Sequence, residues 1–241
     1  MFVGWDDPGV AVTAVLQLGS ILAVIAYFKR DLQRVVRGVS LAFRNGQWQE
    51  PEAKLGISIL LGTFPIVFFG GAIKIFWNGY EDSIFRSLPS IGGVSILMAL
   101  LLAFAEQYGS RTKVLKEVRG IDGFLVGLAQ VFALIPGVSR SGVTLTTALM
   151  NGWKRSDAAR FSFLLGIPAI TIAGLVELKE VVVGANPLDL LPLLIGISSA
   201  AVISWLSIDW FLKYLQNHGT WFFVIYRLIF GITLLAFWSG S

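Results

Sequence analysis

Long apolar runs separated by short polar segments are the dominant pattern of this sequence. A helix needs about 20 apolar residues to cross a hydrocarbon core of about 30 Å. Runs that meet or approach this length, with their flanking residues, cover 10–28, 55–76, 88–105, 158–176, 193–212 and 222–238. The pattern predicts six membrane-spanning helices in a single polytopic membrane domain, 1–241.

Composition supports the membrane class and narrows the chemistry. The 241 residues are 55% hydrophobic and 14% charged, against about 25% charge in soluble domains. With no cysteine, disulfides and thiolate metal sites are excluded. With His218 as the only histidine, histidine metal clusters and a Ser-His-Asp triad are disfavoured. The net charge of +4 lies mostly in short loops, so it indicates membrane orientation and not a nucleic-acid partner.

The loop charges predict that one apolar segment turns back inside the membrane. Basic residues are concentrated in 29–54, 106–120 and 151–160, which makes all three cytoplasmic under the positive-inside rule. If 123–150 crossed completely, the charges of 151–160 would lie outside. The sequence therefore predicts an all-α integral membrane protein with six transmembrane helices and one re-entrant helix pair, 123–150.

The motif IPGVSRSGVT, 135–144, interrupts that segment. Pro136 and Gly137 break the backbone between two arms that are too short to cross separately. Irregular backbone at membrane depth persists where it is buried in protein or lines a wet cavity, and broken helices often hold ligands. The alternative is a kinked pair of ordinary helices whose serines bond back to carbonyls.

Arg140 makes the motif a candidate anion site. An arginine inside a bilayer costs about 2.5–3.5 kcal/mol or more, so an anionic partner is expected. Guanidinium matches two phosphate oxygens at once. The next helix also directs its N-terminus at the break. The remaining candidate residues offer hydroxyls or room for close backbone approach: Ser139, Ser141, Thr144, Gly137 and Gly142.

Three further polar residues leave alternatives open. The alternative to a phosphate at Arg140 is a structural ion pair between Arg140 and an acidic side chain, for which Glu106 and Asp209 are the candidates. Gln130 is predicted either to orient a water or substrate oxygen or to form an interhelical hydrogen bond. Arg227, inside the last apolar run, is expected to form a structural pair or to contact a lipid phosphate.

The segment GLAQVFALIPGVSRSGVT, 127–144, resembles the second signature of the undecaprenyl-diphosphatase family of bacitracin-resistance phosphatases. This resemblance implies a multi-pass enzyme of the bacterial plasma (inner) membrane. Such an enzyme converts undecaprenyl diphosphate to undecaprenyl phosphate with Mg²⁺ or Ca²⁺, and so recycles the lipid carrier for peptidoglycan synthesis. It also implies inverted-topology repeats and allows a homodimer.

The resemblance also suggests roles for individual residues. Arg140 would bind the diphosphate, with Ser139, Ser141 and Thr144 beside it. Gln130 would be the second repeat's counterpart of an acidic residue in the first motif. By the same likeness, Gly137 and Gly142 belong to the substrate-binding element.

The sequence departs from the family pattern at its start. Family members begin with an acidic motif, E-G-x-T-E-F-L-P followed by S-S-x-x-H, and this chain begins after that point. Asp6 and Asp7 do not replace it, so the metal ligands are unknown and the inverted repeat is incomplete. We expect an N-terminally truncated enzyme; the alternatives are a protein that binds without turnover and a transporter or flippase for a lipid phosphate or anion.

Overall fold

The computed structural model describes residues 9–77, 79–80, 83–183 and 190–239. Its α-helices are α1 Gly9–Tyr27, α2 Lys29–Asn45, α3 Pro51–Phe76, α4 Leu88–Tyr108, α5 Gly120–Gln130, α6 Arg140–Met150, α7 Arg155–Val183, α8 Leu190–Asn217 and α9 Trp221–Ser239. Short 3-10 helices cover Ile84–Arg86, Leu115–Glu117 and Val131–Leu134. Within these ranges the extended pairing is limited to one bridge, between Lys113 and Trp153. The predicted all-α class is confirmed.

Five helices of the described part are long and apolar enough to cross a membrane. They are Pro51–Phe76, Leu88–Tyr108, Arg155–Val176, Leu194–Asn217 and Trp221–Trp238, which match five of the predicted runs. The first predicted run, 10–28, falls in α1, of which Leu16–Tyr27 counts as a shorter apolar helix. That sixth crossing stays a prediction. Asp6, Asp7 and residues 184–189 lie outside the described residues.

The chain divides into two compact units, 1–32 with 167–211 and 33–166 with 212–241. In the first unit, small residues let α1 and α8 approach closely: a Cβ atom on Gly19 would lie 2.3 Å from the Ile197 carbonyl oxygen. The Ser204 hydroxyl donates to that of Ser20 at 2.9 Å. The Tyr27 hydroxyl donates to Asp209 at 3.1 Å, so this half-buried carboxylate of α8 has a partner within its own unit.

The second unit holds the motif, and glycines set its helix contacts. A Cβ atom on Gly123 would lie 2.2 Å from the Ser58 carbonyl oxygen, and one on Gly127 would lie 2.0 Å from that of Gly62. Because the residue numbers rise together in the two pairs, by four in each helix, α5 is parallel to α3. Backbones in such close contact tolerate only glycine, as is common between membrane helices.

The two ends of the motif-bearing segment meet. The backbone N–H groups of Thr112 and Lys113 both donate to the Gly152 carbonyl at 2.9 Å, and Lys154 N–H donates to the Lys113 carbonyl at 2.9 Å. The segments 109–119 and 151–154 are therefore joined by backbone bonds. Helices α5 and α6 with the turn between them form a hairpin that begins and ends at the same end of this unit.

A buried carboxylate fixes the same end. Glu106, 2% exposed, accepts hydrogen bonds from Arg155 Nε at 2.9 and 3.1 Å and from Arg111 Nη2 at 3.1 Å. Thr220 donates to it from its backbone N–H at 3.3 Å and from its hydroxyl at 3.0 Å. Glu106 therefore ties α4, α7 and the loop before α9 together. Glu106 pairs with these arginines and not with Arg140, so the predicted alternative of a Glu106–Arg140 ion pair is wrong.

Candidate functional site

The chain reverses direction between α5 and α6 at residues 135–139, the tip of the hairpin. Gly137 has φ +92° and Ser139 has φ +64°, both in the region that favours glycine. A Cβ atom on Gly137 would lie 2.7 Å from the Ile91 carbonyl oxygen of α4. Gly137 therefore permits both the turn and the close packing against α4.

Apolar packing holds the tip against α4. Met98, Val138 and Val143 form a buried cluster, and the partly buried Val94, Ala129, Ala133 and Ile135 pack around it. The Tyr80 hydroxyl donates a hydrogen bond to the Leu134 carbonyl. The break in the helix is therefore an ordered turn that positions the side chains following it.

Ser139 caps α6 from a strained backbone. Its hydroxyl accepts a hydrogen bond from Gly142 N–H at 3.3 Å, and its carbonyl accepts the first intrahelical bond, from Val143 N–H at 3.0 Å. The N–H groups of Arg140 and Ser141 precede that first bond, so they are available to an anion. Ser139 and Ser141 are both exposed. Strain of this kind is concentrated at ligand sites, where the surroundings hold it in place.

Arg140 lies at the first turn of α6 and is half-buried. Its guanidinium runs beside α7, where a Cβ atom on Gly166 would lie 3.8 Å from Nε and 3.9 Å from Cζ. Among the described residues no carboxylate pairs with it, whereas Arg111, Lys113 and Arg155 of this unit do form ion pairs. The charge of Arg140 is therefore held in place by packing, with no anionic partner in the described part of the chain.

Arg227 of α9 reaches the same tip. Its Nη2 donates to the Val138 carbonyl at 2.9 Å and to the Gly137 carbonyl. Its Nη1 lies over the start of α6, since a Cβ atom on Gly142 would come within 2.5 Å of it. The structural role predicted for Arg227 is found, with backbone carbonyls as partners. Sequence reasoning missed its place at the tip, although a charge inside an apolar run is the signal for such a site.

Thr144 differs from the two serines. It is fully buried, and its hydroxyl donates to the Arg140 carbonyl at 2.9 Å and shares a short hydrogen bond with the Ser162 hydroxyl of α7. Ser162 was not predicted as a site residue. Ser162 and Gly166 are four residues apart and lie on one face of α7, against the hairpin. That small-residue spacing could have pointed to them.

Gln130 ends α5 immediately before the 3-10 turn. It is fully buried, and neither its amide oxygen nor its amide nitrogen has a hydrogen-bond partner in the described part of the chain. An unsatisfied buried polar group costs about 1–3 kcal/mol, so such groups call for a water or a ligand. The arrangement favours the water- or substrate-orienting role over an interhelical hydrogen bond.

The profile of the family described as bacitracin resistance protein BacA matches residues 1–233. The chain belongs to the BacA family. Curated relatives named undecaprenyl-diphosphatase include one from Synechococcus sp. (strain WH7803), 67% identical over 100% of this chain and 84% of the relative. Another, from Prochlorococcus marinus (strain MIT 9313), is 66% identical over 100% of this chain and 81% of the relative. The family expected from the motif is confirmed.

The tip of this BacA-family chain fits an anion and does not fit a bare metal ion. Arg140 lies in the first turn of α6 and Arg227 binds the carbonyls of the turn before it, while the described residues contain no group of three or more His, Cys, Asp or Glu side chains that could hold a metal. Mg²⁺ and Ca²⁺ require oxygen ligands, preferably carboxylates. The chemistry of the described tip residues is therefore suited to an anion.

The glycine at the turn gives a direct test of this geometry. Gly137→Ala is expected to lower the free energy of unfolding by at least about 2 kcal/mol and to reduce activity, because it adds both backbone strain and a clash with Ile91. Thermal unfolding and phosphate release measure the two effects. Gly93→Ala is the matched control: it lies in α4 with nothing within 4 Å of the added Cβ atom, so stability should hold or rise. Equal behaviour of the two variants would contradict the proposed tight turn.

Proposed function

We propose that this chain hydrolyses undecaprenyl diphosphate to undecaprenyl phosphate and phosphate. Relatives 61–67% identical bear the name undecaprenyl-diphosphatase. The observation that carries the proposal is the tip itself, where Arg140 begins α6 with no ion-pair partner among the described carboxylates and Arg227 binds the preceding turn. Hydrolysis of this lipid recycles the carrier for peptidoglycan synthesis and confers resistance to bacitracin.

The hairpin is proposed to be re-entrant. Its ends are joined by backbone bonds at the basic end of the second unit, which supports entry and exit on one side. The helical arm 120–134 spans about 25 Å at ordinary helical rise, less than a hydrocarbon core of about 30 Å. At the tip, Gly137 lies against Ile91, near the start of α4, and Leu134 lies near Gly70 of α3. The phosphate site would then lie toward the face of the membrane opposite the end at which the hairpin enters and leaves.

Each tip residue has a proposed task. Arg140 binds two phosphate oxygens in a fork, and the exposed hydroxyls of Ser139 and Ser141 donate to the others. Arg227 holds the turn and adds positive charge. Thr144, through Ser162, fixes α6 against α7 so that Arg140 keeps its direction. Together these groups stabilise the charge that develops when the anhydride bond breaks and the lipid phosphate leaves.

Gln130 is proposed to orient a water or a substrate oxygen. Because neither of its amide atoms has a partner among the described residues, it can donate and accept at the same time. A divalent cation, Mg²⁺ or Ca²⁺, remains part of the proposal. Its ligands would be phosphate oxygens and carboxylates outside the described tip. The bacterial plasma membrane as location and a homodimer as assembly are likewise proposed.

Substrate access follows from the two ends of the lipid. The isoprenoid tail stays in the bilayer beside the apolar helices, while the diphosphate enters the polar tip. The reaction transfers the oxygen of water to the released phosphate and leaves the monophosphate on the lipid. No movement of the lipid across the membrane is required.

Phosphate release tests the proposal against transport. The purified protein in detergent with Mg²⁺ is expected to release phosphate from undecaprenyl diphosphate and none from undecaprenyl phosphate, which has no anhydride bond. Reconstituted vesicles loaded with a labelled lipid report transport separately. Lipid movement without phosphate release would overturn the proposal and favour the transporter or flippase.

A further inference from the structure

Helix α2 has a charged stripe that the proposed hydrolysis does not use. It covers Lys29–Asn45, 17 residues, which is too short and too polar to cross a membrane. Arg34, Arg37 and Arg44 are all exposed. At about 100° per residue they lie within an arc of about 80° on one side of the helix. In the described part of the chain none of the three forms an ion pair with a carboxylate.

A second stripe of α2 packs on the first turns of α3. Val35 and Ala42 are buried. A Cβ atom on Gly38 would lie 2.5 Å from the Glu52 Cβ, and one on Gly56 would lie 2.3 Å from a methyl group of Val39. This contact fixes how α2 is turned about its axis, so the remaining faces are presented in a set direction.

A third stripe is apolar and uncovered. Val36 is 66% exposed and Phe43, seven residues later on the same side, is 74% exposed. The Phe43 ring meets the ring of Trp48 edge to face, with centroids 4.8 Å apart. A helix that carries arginines on one side and aromatic and aliphatic groups on another is typical of helices that lie in a membrane interface.

The contact of α2 with the first turns of α3 is consistent with a position of α2 at the membrane–water interface. α2 touches α3 at Glu52 and Gly56, at the beginning of a helix long enough to cross the membrane. Because α5 is parallel to α3 and starts beside Ser58, the basic segments 109–119 and 151–154 lie at this same end. The end of a spanning helix is where the hydrocarbon core meets water and lipid headgroups.

We propose that α2 lies in the plane of the membrane and binds the headgroups of anionic phospholipids. Arg34, Arg37 and Arg44 contact the phosphate groups, and Val36 and Phe43 with Trp48 insert among the acyl chains. Charge complementarity selects an anionic over a zwitterionic surface, since juxtamembrane basic residues are attracted to anionic leaflets. This surface is separate from the hairpin tip, so it does not depend on the hydrolysis.

Lipid retention tests the charged stripe. The protein purified in detergent from bilayers containing phosphatidylglycerol is expected to carry bound phosphatidylglycerol, measured by native mass spectrometry. The triple variant R34Q/R37Q/R44Q should retain several-fold less. The matched control K116Q/R119Q/K154Q removes the same charge from exposed residues at the same end, outside α2, and should retain the wild-type amount. Equal losses in the two triples would overturn the proposal.

A spin label tests the apolar stripe. The chain has no cysteine, so Val36→Cys accepts a nitroxide at one position. In phosphatidylglycerol bilayers the label should be more accessible to oxygen than to a water-soluble nickel complex. In the R34Q/R37Q/R44Q background its accessibility to the nickel complex should increase relative to that to oxygen. If the label faces water in both, α2 does not lie in the interface. If the triple glutamine variant does not fold, R34K/R37K/R44K replaces it. This variant should fold and keep both the bound lipid and the depth of the label. Loss of either would count against the proposal.

Discussion

Arg140→Lys is expected to reduce phosphate release by about 100-fold or more, the scale seen when one donor to a developing charge is removed. Lysine keeps the charge but cannot offer two parallel hydrogen bonds to a phosphate. Since no described carboxylate pairs with Arg140, the variant should keep its melting temperature. Rates at saturating and limiting substrate, with a thermal scan, separate the two effects.

Arg119→Lys is the matched control for that experiment. It is the same exchange at an exposed residue, at the far end of α5 from the tip, and it should leave the rate unchanged. If Arg140→Lys also stays within a few-fold of the wild-type rate, the phosphate is not bound by this guanidinium. A fall in melting temperature with no change in rate would mean that Arg140 is structural.

Arg227→Met is expected to lower both activity and stability, a combination that Arg140→Lys should not show. The Gly137 and Val138 carbonyls would lose their donor, and each unsatisfied buried group costs about 1–3 kcal/mol. The turn that positions Ser139 and Arg140 would loosen, so the rate at saturating substrate should fall by about tenfold or more. Phosphate release and thermal unfolding measure both quantities.

A double-mutant cycle gives this prediction its control. Gly142→Ala adds a Cβ atom 2.5 Å from Arg227 Nη1, so in the wild-type background it should displace Arg227 and slow the reaction. In the Arg227→Met background the same change has little left to displace, and its effect should be clearly smaller. Additive effects would show that Arg227 does not act through the tip.

The sequence was sufficient to predict those features that a single large free-energy cost controls. The cost of burying backbone and charge in hydrocarbon makes spans readable from apolar runs, and five of those predicted were found as helices of sufficient length. The same cost made Arg140 conspicuous. Pro136 and Gly137 correctly placed the break, since the turn follows Leu134 and α6 starts at Arg140. The motif also led to the right family.

Side-chain partners could not be predicted in the same way. Ser139, Ser141 and Thr144 looked equivalent as hydroxyls, yet Thr144 alone is buried, paired with Ser162. Glu106 looked like a partner for Arg140 and pairs with Arg155 and Arg111 instead. Each outcome depends on which helix faces which, and sequence periodicity does not encode that.

By itself, then, the sequence determined the helical class and the break at residues 135–139 and made Arg140 a candidate anion-binding residue, because these follow from local composition and from the cost of charge in lipid. Only the tertiary structure decided that Arg227 joins the tip from 90 residues away and that Gln130 has no hydrogen-bond partner in the described part of the chain. These depend on close backbone contacts, at Gly123, Gly127 and Gly137, between segments distant in the chain. Such contacts form only when the helices pack.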